Sequence, residues 1–173
     1  DADAEAAQGG ASARRLGRWF LAVCVGLHGA AIEGAVTGHD WTFAPTLAVV
    51  RGERWGRTHE SDSEDPAIVR AYATAMVEGL QGRAGTARFL GPGRTIATAK
   101  HFLGDGGTVG GKDQGDNRAA ESELRDVHGA AYPAAIGAGV QTVMASFSSW
   151  QGTKLHGHHA LLTQVLKGRM GFD

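Results

Sequence analysis

The sequence predicts an α/β fold in which parallel strands are joined by helices. Short apolar runs alternate with helical patterns, and the predicted strands start about every 50 residues, a spacing that leaves room for crossover helices. Each run is apolar throughout, as expected for a parallel strand that is covered on both faces. With 42% hydrophobic and 20% charged residues, the 173-residue chain has the composition of a folded protein.

The N-terminal residues differ from the rest of the chain. Residues 1–13 are low in complexity and carry no large apolar group, which predicts a frayed or disordered segment. A short apolar run from Trp19 to Leu27 follows three arginines and resembles a secretory signal. Because the run starts internally and small residues continue on both sides, a buried helix or an aberrant segment is the favoured interpretation.

The first predicted strand and helix follow. Residues 41–50 form an apolar, partly β-branched run that predicts a buried strand, although Pro45 cannot donate to a central ladder. The Asp65-Pro66 pair then provides an N-cap and a first-turn proline, and Gly82 ends the helix. The apolar stripe of this helix has i+4 spacing and consists of Ile68, Tyr72, Met76 and Leu80.

The same order repeats in the remaining chain. The predicted elements are a strand at 95–99, a glycine-rich loop at 104–115, a helix at 120–138, a strand at 140–145, a loop at 146–157 and a helix at 160–166. Gly139 supplies a helix stop, and Lys167 and Arg169 suit the C-terminal end of the last helix dipole.

Polar and aromatic side chains collect in the loops after the predicted strands. Arg57 follows the first strand, and Lys100 and His101 directly follow the second. Since the carboxyl ends of parallel strands meet at one edge of a sheet, these loops should build one site for a polar ligand. Arg57, Lys100 and His101 would donate hydrogen bonds, and Trp55 and Trp150 would offer flat apolar faces, the mixture that a sugar requires.

A plainer explanation competes for some of these residues. The arginines of the first loop can be solvated charges that pair with nearby carboxylates, namely Glu53, Glu60 and Asp62. Lys100 is harder to explain in this way, because a lysine directly after an apolar strand must reach a partner or a ligand. His101 taken alone is equally compatible with a half-buried structural imidazole.

Several classes of function are disfavoured. A net charge of −1 gives no reason to expect nucleic acid or an anionic membrane as partner, and the lone Cys24 excludes an internal disulfide framework. The segment GGTVGGK at 106–112 has the spacing of a phosphate loop, but Asp113 replaces the required Ser or Thr. The histidines at 156–159 lack the spacing of a metal site, and no G-x-S-x-G elbow occurs. We therefore expect neither a metal nor a cofactor.

Three long blocks of the sequence resemble glycoside hydrolase family 3, in its β-glucosidase and exo-β-glucanase branch. They are DWTFAPTLAVVRGERWGRTHES from Asp40, ATAKHFLGDGGTVGGKDQGDN from Ala97 and GVQTVMASFSSWQGTKLHGHH from Gly139. The resemblance implies that residues 32–173 are a central section of a (β/α)8 TIM barrel, about three consecutive βα units. Residues 1–31 then remain as a low-complexity or aberrant N-terminal segment.

The resemblance also implies an activity and a set of binding residues. The family branch hydrolyses terminal non-reducing β-D-glucosyl residues with retention, so a β-glucoside or β-gluco-oligosaccharide is the expected substrate. The substrate-binding residues match Arg57 of RWGR, Lys100 and His101 of KHF, and Met144 and Phe147 of the third block. A family carboxylate after the glycine loop matches Gln114 instead, which departs from the pattern.

The catalytic carboxylates of the family have no match within the chain. The nucleophilic Asp belongs to a G-F-V-V-S-D-W-like strand end and comes a few residues after Gly171-Phe172-Asp173, so Asp173 matches the first aspartate of the motif and not the nucleophile. The acid/base is expected in a later domain. We therefore expect this chain to be a fragment that hydrolyses nothing alone. The sequence does not identify the compartment, although a periplasmic or secreted location is compatible with the family. It does not identify the oligomeric state either.

Two alternatives remain open. One is a non-catalytic carbohydrate-binding fragment or pseudoenzyme. The other is the β-N-acetylhexosaminidase branch of the same family, whose loop after Lys-His carries a histidine in a G-H-G-D-T context. The loop here reads GDGGTVGGKDQ and contains no histidine, which disfavours that branch.

Overall fold

The computed structural model describes the backbone of residues 2–173 and the side chains of Arg18 and residues 20–173. The helices are α1 (Ala2–Val36), α2 (Pro66–Gln81), α3 (Glu121–Glu123) and α4 (Tyr132–Gly137), with wider π-helical turns at Leu124–His128 and Ala160–Arg169. The strands are β1 (Thr98–Phe102), β2 (Asp116–Asn117), β3 (Thr142–Ala145), β4 (Ser149–Trp150) and β5 (Thr153–Lys154). The predicted α/β class is confirmed.

Two strands form the centre of the fold. β1 and β3 run parallel, with Thr98 opposite Thr142 and Lys100 opposite Met144. The predicted start of the first of these strands, at residue 95, is three residues too early. Lys100 and His101 are part of β1 rather than of the loop behind it, and their polar heads are accommodated there because carboxylates lie within reach of both.

The segment 41–50 runs along the other side of β1 without forming a regular strand. Thr46 bridges to Lys100 in the parallel sense, and the Leu47 N–H donates to the Lys100 carbonyl at 2.7 Å. Pro45 explains the irregularity because it has no N–H, yet its carbonyl still accepts from the Lys100 N–H at 3.0 Å. The predicted buried strand is therefore present as an extended, partly paired segment.

Helix α2 begins and ends where its local sequence predicts. The Asp65 carboxylate caps the helix by accepting from the Ala67 N–H at 2.8 Å, and Gly82 ends it with φ +79°. The buried face differs from the predicted stripe, because Ile68 is exposed. The apolar side chains that face the core are Val69, Ala73, Met76, Val77 and Leu80.

Helix α1 is assigned over Ala2–Val36, and the alanine-rich composition of its first turns favours a helix locally. The expectation that residues 1–13 are frayed or disordered stays a prediction. Further along the helix, Val23 and Leu27 pack against the core. Gly79 of α2 permits this contact, since a Cβ there would lie 2.7 Å from the Cys24 carbonyl oxygen. Within the described residues, no helix combines the length and apolar character needed to cross a membrane.

The helix predicted over 120–138 is interrupted. α3 passes into the π-helical turn Leu124–His128, a turn follows, and α4 starts again at Tyr132. Pro133 sits in the first turn of α4, where its missing N–H costs nothing, whereas it would break a continuous helix. The last helix, predicted to end at residue 166, continues to Arg169.

A small second sheet lies in the loops. β4 and β5 form a hairpin through Gln151 and Gly152, both with positive φ, and β4 pairs in parallel with β2. The glycine-rich loop before β2 packs closely on the first segment: a Cβ at Gly106 would lie 2.3 Å from the Val49 carbonyl oxygen. These two-residue strands are too short to produce a sequence pattern, so the prediction of plain loops missed them.

Gln81 connects α2 to both central strands. Its fully buried side chain donates to the Gly139 carbonyl at 2.9 Å and accepts from the N–H groups of Ala97 and Gln141, each at 3.0 Å. These groups precede β1 and β3. One side-chain amide therefore satisfies three backbone groups where α2 meets the start of the sheet.

Candidate functional site

The candidate site lies across β1, β3 and the extended 41–50 segment. Lys100 is opposite Met144 of β3 on one side and Thr46 on the other, so these residues occupy the same level of the sheet. Arg57 comes from the loop after the 41–50 segment, just before a single 3₁₀ turn at Thr58–Glu60. That turn folds the chain back towards β1.

Arg57 and Lys100 meet at one carboxylate. The Arg57 Nε donates to Glu60 Oε1 at 2.6 Å and its Nη2 donates to Oε2 at 2.8 Å, a bidentate pair. The Lys100 Nζ lies 3.4 Å from Glu60 Oε2, and the Thr46 hydroxyl donates to the same oxygen at 3.3 Å. All three charged side chains are less than one-third exposed, so water weakens these contacts less than at an open surface.

His101 joins the same network. Arg57 Nη1 lies 3.2 Å from His101 Nε2, and His101 Nδ1 lies 2.6 Å from Asp105 Oδ2. A guanidinium has no lone pair to offer, so Nε2 must accept and the ring proton must sit on Nδ1, donating to Asp105. Both ring nitrogens of His101 are thus engaged within the protein, and the expected hydrogen bond from His101 to a ligand stays a prediction.

The charges of the network shift the pKa of its members. The hydrogen bonds from Arg57 lower the pKa of Glu60 to about 2, with further help from the positive charge of Lys100. The same hydrogen bond to Glu60 raises the pKa of Arg57. Glu60 is consequently ionised at neutral pH, and the cluster contains two fixed cations around one fixed anion.

Phe147, the fifth predicted site residue, makes a different set of contacts. Its ring is 57% exposed and stacks on His156 with centroids 4.8 Å apart. Lys154 Nζ lies 4.7 Å from the Phe147 ring centroid and also donates to the Phe147 carbonyl at 2.8 Å. Phe147 therefore remains more than half exposed although His156 and Lys154 contact its ring, whereas the half-buried Met144 is held within β3.

Trp55 and Trp150 are both expected to offer a flat apolar face to a ligand, but they lie in different environments. Trp55 is 1% exposed and donates to Asp113 Oδ1 at 3.3 Å, so it is a core residue and offers no face to a ligand. Trp150 is half-buried in β4, donates to the Ala119 carbonyl and packs at a tilt against His158. Sequence cannot distinguish these situations, because both tryptophans follow apolar runs.

Buried polar atoms lie behind the site. Asp105 Oδ1, Thr108 Oγ1 and both ring nitrogens of His128 have no hydrogen-bond partner among the described residues. Burial lowers the pKa of His128, so its ring is neutral, and Gly107 leaves room for it, since a Cβ there would lie 2.5 Å from Nε2. In the part of the chain that the structure describes, no three His, Cys, Asp or Glu side chains gather closely enough to hold a metal ion.

Glu60 and Asp105 are the two members of the candidate site that the sequence did not single out. The sequence favours ordinary surface pairing for Glu60, and Asp105 is only one of several polar loop residues. Their spacing from their partners is the available signal: Glu60 follows Arg57 by three residues, and Asp105 follows His101 by four. Such spacings occur often by chance. Only the burial of the two pairs, which the sequence does not show, distinguishes them from ordinary surface pairs.

Clustered cations and carboxylates on the parallel strands of an α/β sheet are typical of the class of α/β proteins that bind polar ligands near their strand ends. The family model "Glycosyl hydrolase family 3 N terminal domain" matches residues 23–173. The chain belongs to this family of glycoside hydrolases.

Relatives with solved structures share the fold closely. An exo-1,3/1,4-β-glucanase from a Pseudoalteromonas species is 55% identical with a TM-score of 0.84, over 87% of this chain and 19% of the other. A β-glucosidase from Listeria innocua in complex with glucose is 35% identical with a TM-score of 0.81, over 87% of this chain and 21% of the other.

Curated relatives include enzymes named for glucosides and for xylosides. A β-xylosidase from Formosa agariphila is 37% identical over 82% of this chain and 20% of its own length. A lysosomal β-glucosidase from Dictyostelium discoideum is 32% identical over 82% of this chain and 17% of its own length. The chain thus spans about a fifth of the length of the curated relatives that it matches.

Proposed function

We propose that the chain is part of the N-terminal (β/α)8 barrel of a retaining exo-β-glucosidase, in which it supplies about three consecutive βα units. The parallel order of the 41–50 segment, β1 and β3 supports this assignment. Two helical crossovers do so as well: α2 connects the first two strands, and the interrupted helix at 121–137 connects β1 to β3.

The proposed role of the site is to bind the terminal β-D-glucosyl residue through Arg57, Lys100 and His101. The observation that carries the proposal is that these three side chains converge at one place on the sheet: Arg57 and Lys100 meet at Glu60, and His101 contacts Arg57. A sugar hydroxyl donates one hydrogen bond and accepts up to two, and this cluster offers charged donors on Arg57 and Lys100. The single lone pair of His101 Nε2 is taken by Arg57 Nη1, so His101 contributes by holding that guanidinium. Hydrogen bonds to the sugar accelerate glycoside hydrolysis where they strengthen as charge develops on the sugar ring.

Met144 and Phe147 complete the proposed pocket. Met144 stands in register with Lys100, and the exposed ring of Phe147 offers an apolar face to the C–H side of a pyranose. Lys154 and His156 fix the orientation of that ring through the contacts described above.

The residues of this chain are proposed to bind the sugar rather than to cleave the bond. Glu60 is the carboxylate that contacts both cations, and with a pKa of about 2 it holds no proton to give to a leaving group at neutral pH. A retaining mechanism needs a free carboxylate nucleophile and a protonated carboxylic acid about 5–5.5 Å apart. We propose that the nucleophile and the acid come from other parts of the enzyme.

A β-xylosidase is the second candidate, favoured by the relatives that carry this name. Xylose lacks the hydroxymethyl group of glucose, so the two sugars differ at a single ring position. The 55% identity to an exo-1,3/1,4-β-glucanase favours the glucoside.

The compartment is proposed to be outside the cytoplasm. The relatives include an enzyme named periplasmic β-glucosidase from Salmonella typhimurium, which is 31% identical over 82% of this chain, and the lysosomal enzyme of Dictyostelium. A fusion of the natural gene to a reporter that is active only after export would test this assignment.

Sugar binding is the experiment that tests the proposed site. We expect methyl β-D-glucopyranoside to perturb the side-chain NMR signals of Arg57, Lys100 and His101, with weaker binding of methyl β-D-xylopyranoside. Arg57→Ala and Lys100→Ala should each weaken the glucoside at least tenfold, because each removes a charged hydrogen bond worth about 1.5–3 kcal/mol. Arg54→Ala is the matched control, since this exposed arginine belongs to the same loop.

The outcome can contradict the proposal in two ways. If Arg54→Ala weakens the glucoside as much as Arg57→Ala does, binding is a general charge effect. If the xyloside binds more tightly than the glucoside, the second candidate replaces the first.

A further inference from the structure

We infer that Glu60 is a positioning residue of the sugar site: its carboxylate holds Arg57 and Lys100 side by side, so that both present their free N–H groups to the same part of the ligand. The inference rests on the proposed function and deepens it. It assigns no contact between Glu60 and the sugar.

The distribution of hydrogen bonds around Glu60 supports this role. Oε1 accepts from Arg57 Nε, and Oε2 accepts from Arg57 Nη2, with Lys100 Nζ and the Thr46 hydroxyl also within 3.4 Å. Oε2 therefore has no capacity left for a ligand. Arg57 retains N–H groups on Nη1 and Nη2, and Lys100 retains protons that do not face Glu60. The donors remain available while the carboxylate is occupied.

An ordinary surface ion pair does not account for this arrangement. Arg125 and Asp126 form a bidentate pair of the same geometry, at 2.6 and 2.7 Å, but their side chains are 66% and 60% exposed. Those of Arg57 and Glu60 are 29% and 26% exposed. The Lys100 side chain is 15% exposed, and an ammonium group at that depth requires a counter-charge.

Preorganisation is the physical benefit of such a residue. Arginine and lysine have long side chains that lose much rotational freedom when they are fixed by a ligand. Glu60 fixes both before the sugar arrives, so the binding step does not bear that entropic cost. Through Arg57, whose Nη1 donates to His101 Nε2, the effect also extends to His101.

The test uses the full 173-residue chain with three variants. Glu60→Gln removes the charge and replaces one acceptor by an amino group. Glu60→Asp keeps the charge but shortens the side chain by one methylene, so it cannot reach both cations; it also serves where Glu60→Gln does not fold. Asp126→Asn is the matched control, because it breaks an equivalent bidentate arginine pair outside the site.

The first measurement does not depend on sugar. We expect ¹⁵N relaxation and hydrogen exchange to show a rigid, protected Arg57 Nε–H in the native chain and in Asp126→Asn. In both Glu60 variants the group should become mobile. If Arg57 stays equally rigid in Glu60→Gln and Glu60→Asp, the inference is overturned.

The second measurement uses methyl β-D-glucopyranoside and its four monodeoxy analogues. Glu60→Gln should weaken the parent glucoside about tenfold, as expected for lost preorganisation. In the native chain, the analogue that lacks the hydroxyl bound by Arg57 and Lys100 should bind more weakly than the parent glucoside. In Glu60→Gln this loss of affinity should disappear, while the losses for the other three analogues persist. An equal loss of affinity for all five sugars would indicate a merely structural role and refute the inference.

The two measurements separate the inference from the proposed function. If the native chain binds no glucoside, the proposed function fails, while the dynamics of Arg57 still decide whether Glu60 holds the cations. If sugar binds but Arg57 is mobile in the native chain, the proposed function stands and the positioning role fails.

Discussion

Two carboxylates determine what the conspicuous cations of this chain can do. Glu60 binds Arg57 and Lys100, and Asp105 binds His101, so each group is oriented by a partner rather than free in solvent. The pairing with Asp105 also fixes which ring nitrogen of His101 carries the proton. At the scale of single residues, the chemistry of the site therefore depends on anions that make no proposed contact with the ligand.

The depressed pKa of Glu60 predicts a loss of stability in acid. A carboxyl whose pKa falls from 4.5 to about 2 on folding contributes fully above pH 4.5 and loses its contribution as the pH falls towards 2. The contribution is at most about 3 kcal/mol, since each pKa unit corresponds to about 1.4 kcal/mol and water screens part of the interaction. Urea unfolding at neutral pH and at pH values on either side of this window would measure it.

A comparison between variants isolates this effect. In Glu60→Gln the difference in unfolding free energy between neutral and acidic pH should be smaller than in the native chain by up to that amount. Asp126→Asn should follow the native pH dependence much more closely, because its pair is exposed. If the pH dependence of stability is the same in Glu60→Gln as in the native chain, the lowered pKa of Glu60 is not its cause.

Contacts between elements depend on a few buried polar groups as much as on apolar packing. Gln81 is the clearest example, because its amide satisfies the Gly139 carbonyl and the N–H groups of Ala97 and Gln141 in a fully buried position. These three backbone groups lie just before the two central strands. The position of α2 on the sheet therefore depends on one side chain.

We predict that Gln81→Leu destabilises the chain by about 1–3 kcal/mol, because it leaves the buried N–H of Ala97 without a partner. The Gly139 carbonyl keeps a hydrogen bond from Gln141 Nε2 at 3.0 Å. Chemical denaturation measures the loss. Gln164→Leu is the control, since that glutamine is exposed on the last helix. Equal stability of the two variants would show that the Gln81 hydrogen bonds are replaced by water at no cost.

The central sheet of the whole molecule is open on both sides within the described residues. β3 pairs only with β1, and the 41–50 segment, on the other side of β1, carries the exposed rings of Trp41 and Phe43. A closed barrel has no such edges, because its first and last strands pair. The open sheet agrees with the proposal that this chain supplies only part of a barrel.

At this scale we predict that the purified 173-residue chain releases no nitrophenol from p-nitrophenyl β-D-glucopyranoside. The physical reason is that the site holds binding groups around an ionised Glu60 and offers no protonated acid. An active family 3 β-glucosidase assayed in parallel provides the positive control. Turnover that persists in purified chain and is abolished by Arg57→Ala would refute the prediction.

The accuracy of the sequence predictions varies with the range of the interactions involved. Asp65 and Gly82 set the ends of α2 through contacts within a few residues, so these ends are predicted correctly. The interruption of the next helix at Pro133 is missed. The strand at Thr98 is displaced by three residues, because Lys100 and His101 look too polar for a strand until their carboxylate partners are known.

By itself, the sequence determined the α/β order, the limits of α2, the glycine-rich loop and the family, because these follow from local propensity and from long blocks of matching residues. Only the tertiary structure decided that Trp55 is core, that His101 accepts and that Glu60 joins Arg57 to Lys100. The contact between Arg57 and His101 spans 44 positions of the chain. Burial and hydrogen-bond direction at such contacts arise from packing between elements, which no local pattern encodes.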